Sequence, residues 1–163
     1  RLVPKKDKDL LYPGLDGEEL EDQIFGDLVL LSTGRYMANQ MAYVDSKTYH
    51  YHFSYVASEK LNQQPGAAHT EDIAFVMKTL DVELERVSEK DRQISDAMSN
   101  YWVQFARTGD PNLPNQPRWD PYNQDNGSVL EIGDTIVLRN NFLNERINYH
   151  INRGTGFLKS MTK

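Results

Sequence analysis

Residues 47–57 read KTYHYHFSYVA, an aromatic and β-branched run that is bulky at odd and even positions alike. Successive side chains of an extended chain point to opposite faces, so such a strand needs cover on both sides. That requirement belongs to α/β architectures, in which helices flank a sheet. The run therefore predicts a strand over residues 48–56. Tyr49, Tyr51, Phe53 and Tyr55 would share a core face, and His50 and His52 would share the other.

Helical patterns surround this strand. From Asp27 to about Ala42 an apolar spacing predicts a helix that buries Leu28, Leu31, Met37 and Met41, with Gly34 as a mild interruption. A second helix is expected over 89–108. Ser88 stands at its N-cap, Asp91 completes an acidic form of the capping box, and Gly109 and Pro111 end it. Its Ile94, Met98, Tyr101, Trp102 and Phe105 keep a 3.6-residue period and predict a buried stripe. Residues 71–80 hold a short apolar stretch, enough for a helical turn or two. SVLEI and TIVLRN are short strand candidates about Gly133-Asp134, and DPNLPNQPRWDPYNQDNG reads as a Pro/Asn-rich surface connector.

The two ends are less patterned. Residues 1–22 are expected to be an irregular lead-in, with Pro4, the Pro13-Gly14 pair and an acidic patch. The opening RLVPKKDKDLLYPG has neither an initiator methionine nor the apolar stretch of a signal peptide, as expected of a chain cut from a longer one. Residues 134–163 read as a mixed C-terminal tail.

Charge and composition remove several functions. With 18 basic and 24 acidic residues the net charge is −6, and the basic residues are scattered. No nucleic-acid surface is expected. No run approaches the roughly 20 apolar residues of a membrane span, so a soluble chain is expected. There is no cysteine, hence no disulfide framework, thiolate nucleophile or sulfur-bound zinc. His50 and His52 have a spacing known in metal sites, but no third ligand is apparent and packed strand histidines are the expectation. No metal and no cofactor are predicted, and the cellular compartment is left open.

The informative order is strand, loop, histidine. After the strand, SEKLNQQPGAA is a loop that turns at Pro65-Gly66, and His69 stands at its exit. Active sites of α/β sheets collect at the carboxyl ends of strands, and histidine titrates near working pH. Gly66, Ala67 and Ala68 are small enough to let a substrate approach the imidazole. On position alone, the favoured reading of His69 is a loop histidine with no task.

The motif GAAHTEDIAFVM resembles the catalytic-histidine motif of the type-B carboxylesterase and cholinesterase family of α/β hydrolases. Gly66, His69, Ile73, Phe75 and Val76 fit it, Asp72 stands where the family prefers glutamate, and Met77 replaces a phenylalanine. DRQISDAMSNYWVQFARTGDPN resembles the family's long helix and its Gly-(Asn/Asp)-Pro-Asn turn. PRWDPYNQ resembles its Trp-Pro-x-Tyr connector with Asp120 inserted. The likeness covers residues 22–133, taken as a family-like core over 23–133. It implies the C-terminal part of an α/β-hydrolase fold, a partial mixed sheet with flanking helices.

The resemblance implies acyl transfer through a serine, an acid and a histidine. His69 would be general base and acid. Ala67, Ala68, Thr70 and Phe75 would line the substrate's approach, and Gly66 and Asp72 would support the loop. The chain order of this fold is serine, acid, histidine. No Gly-x-Ser-x-Gly elbow occurs in the sequence, and LLSTG around Ser32 lies inside a helical pattern. The expected partners are therefore a small-molecule ester and an N-terminal portion of the same enzyme that carries the nucleophile and the acid. Alone, the 163 residues are expected to be inactive. The alternative is a non-catalytic esterase-like module for binding or adhesion.

Overall fold

The aromatic run forms strand β1, Tyr51–Phe53, shorter than expected. It pairs in parallel with β2, Val129–Ile132, which pairs antiparallel with β3, Ile136–Arg139. The sheet order is β1-β2-β3, a mixed sheet with β1 at one edge. The computed structural model describes residues 3–44 and 46–161, and by contacts these divide into two units. One comprises residues 49–122 and 128–140; the other takes the remainder.

The sheet-bearing unit also contains a 3-10 turn at Ser58–Lys60 and three helices, α4 (Glu71–Met77), α5 (Leu80–Glu83) and α6 (Glu89–Thr108). Helix α6 starts where its capping chemistry predicts. The Ser88 side chain accepts from the Asp91 amide, and the Asp91 carboxylate accepts from the Ser88 amide at 2.7 Å. Gly109 closes the helix at φ 74°, a left-handed conformation that costs glycine little. Ile94, Met98 and Tyr101 are buried as expected, whereas Phe105 is exposed at its outer end. The Phe105 ring still meets Tyr49 edge-on at 5.7 Å.

The predicted aromatic face of β1 is in the core. Tyr51 packs edge-on to Trp102 at 4.9 Å, and Phe53 and Tyr55 meet Phe75 at 5.2 and 5.5 Å. Each residue of β1 is only half-buried, and His50, just before the strand, packs edge-on to Tyr122 at 5.7 Å. No metal-binding cluster of acids and histidines occurs among the described residues. The Pro/Asn-rich connector differs from expectation. Trp119 is buried, and its indole N–H donates to the His50 carbonyl at 3.1 Å. The large ring lowers its free energy by burial and draws the connector inward.

The other unit is helical: α1 (Lys5–Leu11), α2 (Gly17–Gly26), α3 (Ser32–Met41) and α7 (Asn144–Met161). A wide π turn, Asp27–Leu31, joins α2 to α3 without a break. The expectation of an irregular lead-in fails over the described residues, since α1 and most of α2 fall within it; residues 1 and 2 lie outside them. The C-terminal tail, read as mixed, is largely α7. No helix among the described residues is long and apolar enough to cross a membrane.

The expected buried stripe on this helix is also corrected. Met37 and Met41 are exposed, and Leu28 and Leu31 are half-buried. The buried positions are Ile24, Asp27, Ser32, Arg35 and Ala38. A π turn shifts the helical register by about one residue, and the polar side chains on the inward face have partners. Arg35 donates to the Phe142 carbonyl at 2.6 Å and to Asn144, and Asp27 meets Arg146 at 2.7 Å. Paired polar groups can occupy an interior that a hydrophobic pattern would leave to apolar ones.

Candidate active site

The loop carrying His69 leaves β1, passes through the 3-10 turn and ends at α4. Its first end is fixed on α6. The Ser58 amide donates to Asp91 at 2.9 Å, and Asp91 also accepts from the Tyr55 hydroxyl at 2.7 Å. Burial pushes the Asp91 carboxyl up, but these bonds and those from Ser88 outweigh it and hold the group below the ordinary carboxylate range. Burial and the bond to Asp91 push the Tyr55 phenol up to about 12. Tyr55 is therefore a neutral donor at working pH.

The other end is fixed on β1 and α6. Asp72 accepts the Tyr51 hydroxyl at 2.6 Å, and the Phe75 carbonyl accepts from the Ser95 hydroxyl at 2.7 Å. Asp72 thus ties α4 to the strand. The bond to local loop backbone is made by the neighbouring Glu71.

Between these anchors the histidine stands in the open. His69 is exposed, as are Gly66, Ala68 and Thr70, and Ala67 is half-buried. Thr70 has φ 76°, a left-handed conformation that is strained for a β-branched residue. A Cβ built on Gly66 would meet nothing within 4 Å, so close packing does not demand a glycine there. Its carbonyl accepts from the Gln64 side chain at 2.9 Å. Phe75, expected to wall a substrate pocket, is a core side chain held between Phe53 and Tyr55. It and Thr70 border a shallow cavity of about 250 Å³, which Lys60, Glu71, Leu80 and Leu84 also line.

Glu71 is the residue that sequence reasoning passed over. Its carboxylate accepts from the Ala68 amide at 2.9 Å, from Gln64 at 2.8 Å and from Lys60 at 2.5 Å. Burial pushes its pKa up, but the hydrogen bonds from Lys60, Ala68 and Gln64 outweigh burial and hold it below the ordinary glutamate range. The signal was present in the sequence. An acid in the first turn of a helix, three residues after a small-residue turn, is placed to reach back to a free amide as the acidic half of a capping box does. Ser32, the nearest imitation of an elbow serine, is buried within a helix and donates to the Leu28 carbonyl at 2.6 Å.

The mixed sheet, its helices and the histidine loop define part of an α/β-hydrolase fold. The same fold occurs in a thermophilic PNB esterase, superposing with a TM-score of 0.72 at 24% identity over 89% of this chain and 30% of that one. It occurs again in an esterase from anaerobic Clostridium hathewayi, with a TM-score of 0.68 at 22% identity over 90% of this chain and 28% of that one. The carboxylesterase family model matches residues 18–150. Bile salt-activated lipase of Mus musculus is 36% identical over 115 residues, which are 68% of this chain and 19% of that protein. Carboxylesterase 1C of Rattus norvegicus is 31% identical over 135 residues, 81% of this chain and 22% of that protein. The chain belongs to the carboxylesterase family. It spans about a fifth of the length of the relatives it matches.

Proposed function

We propose that these residues are the C-terminal part of a serine carboxylic-ester hydrolase and that His69 is its general base and acid. The observation carrying this reading is the GAAHTEDIAFV motif, inside the family match, on a loop anchored at both ends. An imidazole left exposed between fixed anchors suits a group whose reaction partner lies on another stretch of polypeptide. The nucleophilic serine and its acid would come from an N-terminal portion of the same enzyme. His69 would take the serine proton as the hydroxyl attacks the ester carbonyl, then return a proton to the departing alcohol. Ala67, Ala68 and Thr70 would border the approaching ester, and Phe75 would support the loop from below rather than touch substrate.

The test is active-site labelling of the full-length protein with a fluorophosphonate, followed by peptide mapping. The expected result is one labelled serine outside residues 1–163. Label on a serine within this segment would overturn the division of the triad. No label at all would favour a non-catalytic binding module.

A further inference from the structure

We propose that Glu71 is a positioning residue for His69, a role that rests on the reading of His69 as catalytic. Ala68 and Glu71 are joined in both directions across the histidine. The Glu71 carboxylate accepts from the Ala68 amide at 2.9 Å, and the Glu71 amide donates to the Ala68 carbonyl at 3.3 Å. His69 and Thr70 are the two residues enclosed by this clamp. The backbone that carries the imidazole is therefore held on both sides by one side chain and its own amide.

The carboxylate has a second set of bonds that fixes the clamp to the rest of the loop. Lys60 lies in the 3-10 turn and Gln64 in the turn after it, so three separated points of the loop converge on one carboxylate. The Lys60–Glu71 pair is largely shielded from water, with 29% and 18% of the two side chains exposed. Bonds to an ionised carboxylate are roughly twice as strong as neutral ones. The clamp also opposes the strain at Thr70, which the loop would otherwise relax by turning to ordinary backbone angles. Relaxation there would swing the adjacent imidazole. A base displaced by about 1 Å from its nucleophile loses on the order of 100-fold in rate.

A serine-attacking histidine needs its orientation most in the transition state. Loss of the clamp should therefore lower kcat and leave KM nearly unchanged. In the full-length protein, Glu71→Ala is expected to lower kcat for a p-nitrophenyl ester about 10- to 100-fold, with KM within about two-fold. Glu71→Gln keeps an oxygen for the Ala68 amide, and its kcat should lie well above that of Glu71→Ala. Amide hydrogen exchange supplies a readout independent of turnover: Ala68 should exchange faster in Glu71→Ala than in the parent protein.

Wild-type kcat and unchanged Ala68 exchange in Glu71→Ala, alongside an inactive His69→Ala, would overturn the positioning role and leave the catalytic reading standing. An active His69→Ala would sink the catalytic reading and with it this role, whatever the exchange at Ala68. Should Glu71→Ala fail to fold, the Lys60→Met/Gln64→Ala pair removes two donors and spares the carboxylate. That double variant should lose several-fold in kcat, and full kcat there would overturn the role.

Discussion

The Tyr12 hydroxyl donates to the Asp27 carboxylate at 2.8 Å in the interior of the helical unit, and Asp27 has no exposed surface. The same hydroxyl oxygen lies 2.8 Å from His150 Nε2. A phenol has one proton, and an ionised carboxylate can only accept, so the imidazole must donate at Nε2. Arg146 completes the group with its guanidinium 2.7 Å from Asp27 and 4.7 Å from the centre of the Tyr12 ring. The cluster joins the segment after α1, the π turn and α7.

Asp27→Asn should therefore destabilise the protein strongly. It keeps the shape and an acceptor for Tyr12 but leaves the Arg146 cation without its counter-charge. Breaking one side of a buried pair costs about 3 kcal/mol or more. Urea unfolding of the full-length protein measures it. A loss below about 1 kcal/mol would show that Arg146 finds water instead.

His150 sets a pH dependence. Burial pushes its pKa below the ordinary value of 6.5; Asp27 works against that, and Arg146 and Arg153 add to it. The unfolded chain therefore binds a proton that the folded chain resists, so stability is complete above about 6.5 and falls as the pH drops below it. Comparison of urea midpoints at pH 7.5 and 5.5 checks this. His150→Gln retains a donor for Tyr12 and should flatten the difference, whereas an unchanged slope would assign it to another group.

Asp91 gives a second, more acidic window. Its carboxylate serves the cap of α6, the Ser58 amide and the Tyr55 hydroxyl, and it is fully buried. A depressed carboxyl contributes stability above its unfolded value near 3.8, lost as pH falls through the lower folded value. Asp91→Ala should cost about 2–4 kcal/mol at neutral pH, since it removes a cap and strands buried donors. Thermal unfolding reads the loss, and a change under about 1 kcal/mol would contradict the account of this anchor.

How much of this was legible depended on whether local chemistry or distant pairing decides. Helix α6 was readable from Ser88, Asp91 and Gly109 because caps act within a few residues. Strand β1 was readable from its continuous aromatic and β-branched run, and β2 and β3 from short apolar runs about Gly133-Asp134. The buried face of α2–α3 was not. Its inward residues include Asp27 and Arg35, and their burial is tolerable because partners distant in sequence reach them, Tyr12 and Arg146 for Asp27 and Phe142 for Arg35. The same holds for Trp119, which a Pro/Asn-rich composition assigned to the surface. Within the loop, the motif picks out His69, whereas the clamp at Glu71 has only the weaker signal of an acid in the first turn of a helix.

Thr70 offers a test of strain at the loop. Its left-handed backbone suits glycine, and its side chain is exposed. Thr70→Gly should raise stability by about 1 kcal/mol, as relief of the strained conformation outweighs the added freedom of the unfolded chain. A lower urea midpoint would mean that the threonine side chain holds the turn.

The most direct test replaces the imidazole alone. In the full-length protein, His69→Gln should lower kcat for a p-nitrophenyl ester by about 1,000-fold or more, with the unfolding midpoint unchanged. Turnover within a few-fold of the parent protein would show that the proton passes through some other group, and that His69 is a surface histidine on a well-anchored loop.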